Sequence, residues 1–361
     1  ERRQENPGMS TQTPQRSREA ELLRAARAGD LQQFGELAEP YRGELQVHCY
    51  RILGSLQEAE DMVQESLLKA WRHIGSYEGR APFRSWLYRI ATNTCLDLLD
   101  SRRSRRLLPF QTAAPSDPEG PIAPPAPEIP WLEPLPDEWL EDVGAANPEA
   151  RYSQYESISL SFLTALQVLP PRQRAVLILR DVLDFSSRET AEMLDLTIPS
   201  VNSALTRARK SVKRRFHGKV PERPGGLPAD EPTKRLLEHF VQAWQAADVD
   251  ALIALLKQDA ILAMPPSPAW YKGSAAIGIF ISRTIFGDAG MFPGRGRGRW
   301  RLMPVRANGS PAYGMYQRDE GGGYRPFGIL SSEWEGDKVA RITNFIDPGL
   351  PMRFGLPDAL E

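Results

Sequence analysis

Ser200, Asn202, Ser203 and Thr206 are followed by Arg207, Arg209, Lys210, Lys213, Arg214 and Arg215. Short hydrogen-bonding side chains come first and a block of cations comes after them. Such an order suits a helix that reads base edges at its start and grips phosphates along its length. The same run also reads as an amphipathic helix with a solvated basic face. The lack of any acidic residue from Leu196 through Lys219 favours nucleic acid. A second polar set, Asp61, Gln64 and Glu65, shares one face of a helical pattern, and Arg84, Arg89 and Asn93 share another a little further on. Titratable candidates for catalysis are few. His239 and Asp347 stand out, but a lone histidine beside an apolar helix face has a structural reading first. Cys49 and Cys95 match no zinc spacing or redox motif and read as small buried hydrophobes, so neither a metal nor a cofactor is implied.

Local signals say which elements must carry these groups. Ser186 followed by Glu189 is a capping-box start, and Pro199 falls in the first turn of a second helix, where its missing N–H costs nothing. Val201, Leu205, Ala208 and Val212 then form one apolar stripe. The pattern from Ser186 to Arg215 is a short helix, a tight turn and a longer basic helix. Upstream, Ser55 and Glu58 read as a second capping box. Ala59, Met62, Val63, Leu67, Ala70, Trp71 and Ile74 form the inner face behind it. Pro82 opens a further helix with Phe83, Trp86, Leu87, Ile90, Ala91 and Leu98 inward.

The chain has 361 residues, a net charge of −1, 41% hydrophobic and 25% charged residues, which predicts a globular protein of two or three domains. Charge is segregated rather than in excess. No apolar run reaches membrane-span length and the N-terminus lacks a signal-peptide core, so a cytoplasmic location is expected and a membrane is not. The expected divisions are a disordered tail over 1–16, a helical domain over 17–108, an acidic proline-rich linker over 109–147, a second helical domain over 148–219, a linker over 220–231, a third domain over 232–348 and a tail over 349–361. Residues 109–147 hold eight acids and no Lys or Arg. Composition predicts an extended, poorly ordered chain there, except that Trp131-Leu132-Glu133-Pro134-Leu135-Pro136 should dock on a folded surface, the third domain first.

AEDMVQESLLKAW and FRSWLYRIATNTCLDLL resemble region two of the extracytoplasmic-function sigma factors, and the basic helix-turn-helix after LPPRQRAVLILRDV resembles their region four. The two motifs stand in the right order around a linker and cover roughly the first two-thirds of the chain. The resemblance implies an alternative sigma factor. It would bind RNA polymerase core through the β′ clamp and β flap, and contact promoter DNA both as duplex and as melted non-template strand. Asp61, Gln64 and Glu65 would meet the β′ clamp. Tyr77, Arg84, Arg89 and Asn93 would engage the −10 strand, with Phe83 and Trp86 as further stacking candidates. A melted strand offers unstacked bases to aromatic and amide groups. Core packing is the competing reading for these aromatics, most of all for Trp86. Asn202, Ser203, Thr206 and Arg207 map onto the −35 readers, with Lys210 and Lys213 on phosphates. Asn202 and Ala204 stand where many relatives carry arginines, which alters base preference rather than docking.

The third domain reads as helices followed by strands: Ala260–Met264, then Arg299–Arg306, Ala312–Gln317, Arg325–Glu335 and Lys338–Ile346. With MPPSPAWYKG after the first strand, it resembles the SnoaL-like, NTF2-like cone. The fold class is therefore multidomain, two all-α domains followed by an α+β cone. The resemblance implies an apolar pocket for a small-molecule ligand, with His239, Met264, Trp270, Tyr271 and Phe345 as candidate lining, and regulation of the sigma factor in cis. Gly294–Arg301 reads as a flexible basic run. Two other functions compete: a ligand-responsive helix-turn-helix regulator acting without polymerase, and a SnoaL-like enzyme fused to a DNA-binding arm.

Overall fold

The computed structural model describes residues 12–102, 105–141, 155–215, 231–287 and 296–361. The expected N-terminal tail up to residue 11, Arg103, the end of the acidic linker with the start of the second domain (142–154), the second linker (216–230) and the start of the Gly294–Arg301 run lie outside it.

Five helices form the N-terminal unit: α1 (Gln12–Arg27), α2 (Leu31–Ala38), α3 (Arg42–Leu53), α4 (Leu56–His73) and α5 (Phe83–Arg102). Asp30 caps α2 by accepting from the N–H groups of Gln32 and Gln33. Gly54 ends α3 at φ +75°, a left-handed cap that suits glycine. At the start of α4 the expected capping box is only half made. Ser55 accepts from the Glu58 N–H, but the Glu58 carboxylate turns away to Arg102 and Arg106. Glu133, from the linker, caps the helix start in a different way: its oxygens accept from Ser55 Oγ at 2.9 Å and from the Leu56 N–H at 2.8 Å.

That linker is not the solvated chain its composition predicts. Trp131 is 8% exposed and donates its indole N–H to the Ala126 carbonyl at 3.0 Å; Leu132 and Leu135 are fully buried. Burial of one such large side chain is worth roughly 3 kcal/mol, enough to offset ordering of a few residues. Trp131 itself is fastened to the N-terminal unit, where its carbonyl accepts from Arg106 at 2.7 Å. The preceding stretch rests on the C-terminal domain, as Ser116 N–H donates to Trp270 and Ala126 N–H to Pro266. A short helix, α6 (Glu138–Glu141), closes the described part of the linker.

The second helical unit comprises α7 (Leu160–Gln167), α8 (Pro171–Leu177), α9 (Ser187–Leu194) and α10 (Ile198–Arg215). Arg174 on α8 is 1% exposed without a carboxylate partner among the described residues. It donates to the carbonyls of Leu166 and Gln167 at the end of α7 and to Ile52 at the end of α3. A guanidinium suits two helix C-termini, whose last carbonyls are otherwise orphaned. Burial pulls its pKa down to about 9.

The C-terminal domain runs α11 (Glu231–Gln245), α12 (Val249–Leu255), β1 (Leu256–Ala263), β2 (Trp270–Lys272), α13 (Ser274–Phe280), β3 (Trp300–Ala307), β4 (Ser310–Arg318), β5 (Tyr324–Glu335), β6 (Lys338–Phe345) and α14 (Leu350–Arg353). The strands form one sheet in the order β2-β1-β6-β5-β4-β3, with β1 and β6 parallel and the other neighbours antiparallel. Two helical units followed by this α+β domain make the expected fold class. The three-residue β2, inside the stretch MPPSPAWYKG, is an element the sequence reading lacks.

Two cores result, and the sheet separates them. Leu330, Tyr313 and Ile342 pack with Phe240, Trp244 and Ile277 beneath the domain's own helices. Ile329, Ala312 and Phe345 belong instead to a cluster that continues through Leu135, Leu53 and Leu163 into both helical units. Neighbouring residues of a strand face opposite ways, so Ile329 and Leu330 serve different cores.

Candidate nucleic-acid interface

The helix-turn-helix forms as its local signals dictate. Ser186 Oγ accepts from the Glu189 N–H and the Glu189 carboxylate accepts from the Ser186 N–H, at 3.2 and 2.8 Å. These bonds hold the Glu189 carboxyl below its ordinary range. Asp195, at φ +53°, turns the chain between α9 and α10. Val201, Leu205 and Ala208 are buried and Val212 is half-buried, so the opposite face of α10 is presented outward. Asn202, Ser203, Thr206, Arg207, Lys210 and Lys213 are all exposed. Arg207, Lys210 and Lys213 carry no ion pair among the described residues. Arg209 differs: it forms a two-pronged contact with Asp181 at 2.7 and 2.9 Å, which leaves it tied to its own domain. Asn202 accepts from Ser187 Oγ at 2.9 Å, which orients its side-chain amide.

The surface read for melted DNA is arranged quite differently. Asn93, on α5, donates from its side-chain amide to the Met193 carbonyl of α9 at 3.1 Å. Arg84 donates twice to Glu44, at 2.8 and 2.9 Å, and its guanidinium lies over the rings of Tyr88 and Phe185. Tyr77 is buried; its hydroxyl donates to the Ala81 carbonyl at 2.6 Å and its ring packs on Phe83 and Trp86. Burial pushes the Tyr77 phenol up. Of the four residues only Arg89 is exposed. The aromatic expectation is also reversed in detail: Tyr77 and Phe83 fill the core, at 7% and 2% exposure, while Trp86 is only partly buried.

On α4, Asp61 and Gln64 are exposed, and Glu65 is half-buried with a 3.7 Å pair to Lys69. Sequence reasoning missed Leu68 on this helix, which is 51% exposed in spite of its apolar side chain. An apolar residue four positions after Gln64, outside the inner stripe, is the signal that could have found it.

A larger omission lies at the tip of the β3–β4 hairpin. Asn308 and Gly309 take φ of +54° and +75°, the two positive values that a tight two-residue hairpin needs, and Asn-Gly is the sequence for it. Asn308 is fully buried where four segments meet. Its Oδ1 accepts from the Leu135 N–H and its own N–H donates to the Leu135 carbonyl, both at 2.9 Å. Its Nδ2 donates to Tyr50 Oη on α3 at 3.0 Å and to the Ile158 carbonyl ahead of α7 at 2.7 Å. The Tyr50 hydroxyl in turn donates to the Glu133 carbonyl at 2.6 Å. Beside them Asp137 accepts from the Gly309 N–H at 2.7 Å and from Arg306 at 3.0 Å. On the neighbouring strands, Ser161 of α7 donates to Glu333, which also accepts from Arg341.

The expected ligand pocket needs correction. His239 is exposed on α11, because Phe240 and Trp244 take the inward face of that helix. Met264 and Tyr271 are buried in the domain's core, where Tyr271 stacks on Phe280 at 4.1 Å. Trp270 faces the linker instead, donating to the Ala113 carbonyl. Phe345 lies on the opposite face of the sheet, toward the helical units. The five residues therefore do not share one cavity. Asp347 is exposed and accepts from the Gly349 N–H. Among the described residues no cluster of metal-binding side chains occurs. No described helix is long and apolar enough to cross a membrane.

Comparison with known proteins adds the following. The family model for sigma-70 region 2 matches residues 37–105, and that for sigma-70 region 4 matches residues 159–212. The ECF RNA polymerase sigma factor SigG of Mycobacterium tuberculosis (strain H37Rv) is 42% identical over 335 residues, which cover 92% of this chain and 86% of that one. ECF RNA polymerase sigma factor SigW of Bacillus subtilis (strain 168) is 25% identical over 208 residues, 54% of this chain and 94% of its own. Among solved structures, that of the extracytoplasmic function sigma factor SigJ of Mycobacterium tuberculosis matches with a TM-score of 0.53 at 22% identity. It covers 88% of this chain and 97% of that chain, a likeness of fold.

Proposed function

The chain belongs to the extracytoplasmic-function sigma factors, and from that premise we propose that it is a two-site promoter reader held shut by its own C-terminal domain. As an alternative sigma factor it directs RNA polymerase to promoters. In our reading Asp61, Gln64 and Glu65 meet the β′ clamp. Arg89 and Asn93, with Tyr77 and Arg84 behind them, serve the −10 strand. Asn202, Ser203, Thr206 and Arg207 read the −35 duplex, with Lys210 and Lys213 on its phosphates. A polymerase partner puts the protein in the cytoplasm. The C-terminal domain acts by contact rather than by a reaction of its own, since His239 is turned to solvent.

One observation carries the closed state: the 3.1 Å bond from Asn93 to Met193. Elements at −10 and −35 lie roughly 25 base pairs apart, or about 85 Å of duplex at 3.4 Å per step. A helix reading one element cannot touch the unit reading the other. Productive binding therefore requires α5 and α9 to separate, and the junction around Asn308 opposes that by tying α3, the linker, α7 and the β3–β4 hairpin together.

Fluorescence energy transfer tests this. Cys49 and Cys95 are buried, so dyes would report from added cysteines at two exposed sites, Asp97→Cys on α5 and Glu192→Cys on α9. Transfer should be high in the free protein and collapse once core polymerase and promoter are added. High transfer retained in a transcribing complex would refute the closed state.

A further inference from the structure

Between the end of α5, the linker and the C-terminal domain lies a cleft of about 590 Å³. That is the size of a site for a drug-sized molecule. Its apolar walls come from all three parts: Leu53 and Leu99 from the N-terminal unit, Pro127 and Trp131 from the linker, Pro265 and Phe345 from the C-terminal domain. This is also where Phe345 points once it is removed from the interior of the α+β domain.

The charges around the cleft fall into two groups. Glu58, Glu133, Arg102 and Arg106 neutralise one another: Arg102 and Arg106 both reach Glu58, and Arg106 also reaches Glu133 at 3.3 Å. Two acids face two bases, and the set asks nothing of a ligand. Glu128 and Asp347 also line the cleft, and neither has an ion pair among the described residues. After the first set cancels, the described lining carries an excess of two negative charges beside apolar walls and an indole ring.

We propose that this cleft binds a small organic cation, an ammonium or amidinium group on an apolar body. Glu128 and Asp347 would take the charge, and Trp131, with the prolines, would take the body. An indole face adds to the attraction for such a cation. The N-terminal unit, the linker and the C-terminal domain are also joined at the Asn308 junction that opposes separation of α5 and α9, so a ligand bridging them favours the closed chain and stabilises it by mass action. That last step rests on the closed-state reading above; the binding itself does not.

Calorimetric titration of the full-length protein with three matched probes tests the site: 4-phenylbutylammonium, 4-phenylbutanol and 4-phenylbutyrate. The ammonium should bind tightest. In the Glu128→Gln/Asp347→Asn double variant its affinity should drop about tenfold, a scale set by two partly exposed ion pairs, while the alcohol is unaffected. In Ile129→Trp, where the added ring fills the cleft, all probes should weaken. The site is disproved by equal or better binding of the alcohol or the carboxylate, by undetectable binding of the ammonium at millimolar concentration, or by an ammonium affinity indifferent to the double variant. Energy transfer between the Asp97 and Glu192 positions, read with and without the ammonium in the presence of core polymerase, bears separately on the closed state. Specific binding with no effect on transfer would count against that state and leave the cleft standing.

Discussion

The two helices read for DNA are treated in opposite ways by one fold. The polar face of α10 stands in solvent, with Arg207, Lys210 and Lys213 unpaired among the described residues. Much of the corresponding set on α5 is engaged within the molecule, Asn93 on Met193 and Arg84 with Glu44 and Phe185, while Arg89 stays exposed. Under the proposed reading, the chemistry of the two targets accounts for the contrast. Duplex DNA is gripped by flexible cations, which are well hydrated while they wait. A melted strand is caught by amides and rings, which are as well satisfied by a neighbouring carbonyl or ring as by a base. Amides and rings are thus easily satisfied from within, whereas on α10 Arg207, Lys210 and Lys213 stay open although Arg209 is held by Asp181.

Four substitutions would break or sharpen this contrast. Asn308→Ala should have the largest effect. It strips Tyr50 and Leu135 of buried partners and leaves alanine at φ +54°, a loss of about 2–4 kcal/mol. Thermal melting of the free protein reads the loss, and Asn308→Gly, which keeps the turn, separates side chain from backbone. An unchanged melt would mean the junction does not hold the units together. Next, Arg207→Ala should weaken −35 duplex binding by about 1–3 kcal/mol. If α10 is truly open, gel-shift titration should show that loss in the free protein as fully as in the polymerase complex. Asn93→Ala is smaller, about 0.5–1.5 kcal/mol for one hydrogen bond, and it should have opposite signs in two assays. Hydrogen exchange along α9 should rise in the free chain, while open-complex formation by the holoenzyme should fall; a fall in both forms of stability alone would make Asn93 merely structural. Last, Lys213→Ala should lower the slope of log affinity against log salt by about 0.9 and leave promoter ranking unaltered.

What could be read from the sequence was what short-range physics decides. The α10 stripe, the Ser186–Glu189 box and Pro199 all rest on neighbours within a turn, and they form as expected. The Ser55–Glu58 box failed halfway because arginines distant in sequence, Arg102 and Arg106, draw the Glu58 carboxylate away, and another distant group, Glu133, caps Ser55 Oγ and the Leu56 N–H. Linker composition misled for a related reason. Acids and prolines disfavour a local core, but Glu133 and Asp137 find Arg106 and Arg306 on other segments. His239 was drawn toward a pocket by its chemistry, while helical phase left it one position from the buried Phe240. Asn308-Gly309 was legible as a turn. Its docking was not, since nothing near it in sequence hints that the tip of a hairpin will be fully buried against Tyr50.

The sheet's alternation has a mutational corollary. Along β5, Ile329, Ser331 and Glu333 fall on the side where Glu333 meets Ser161 of α7, and Leu330 and Trp334 fall on the side of the domain's own core. Residue parity therefore sorts mutations into two independent ledgers. Changes at one parity alter how firmly the domain grips the promoter-reading units, and changes at the other alter whether the domain folds. Substituting alternate residues of a single strand can therefore change the contact with the helical units without disturbing the domain's own core.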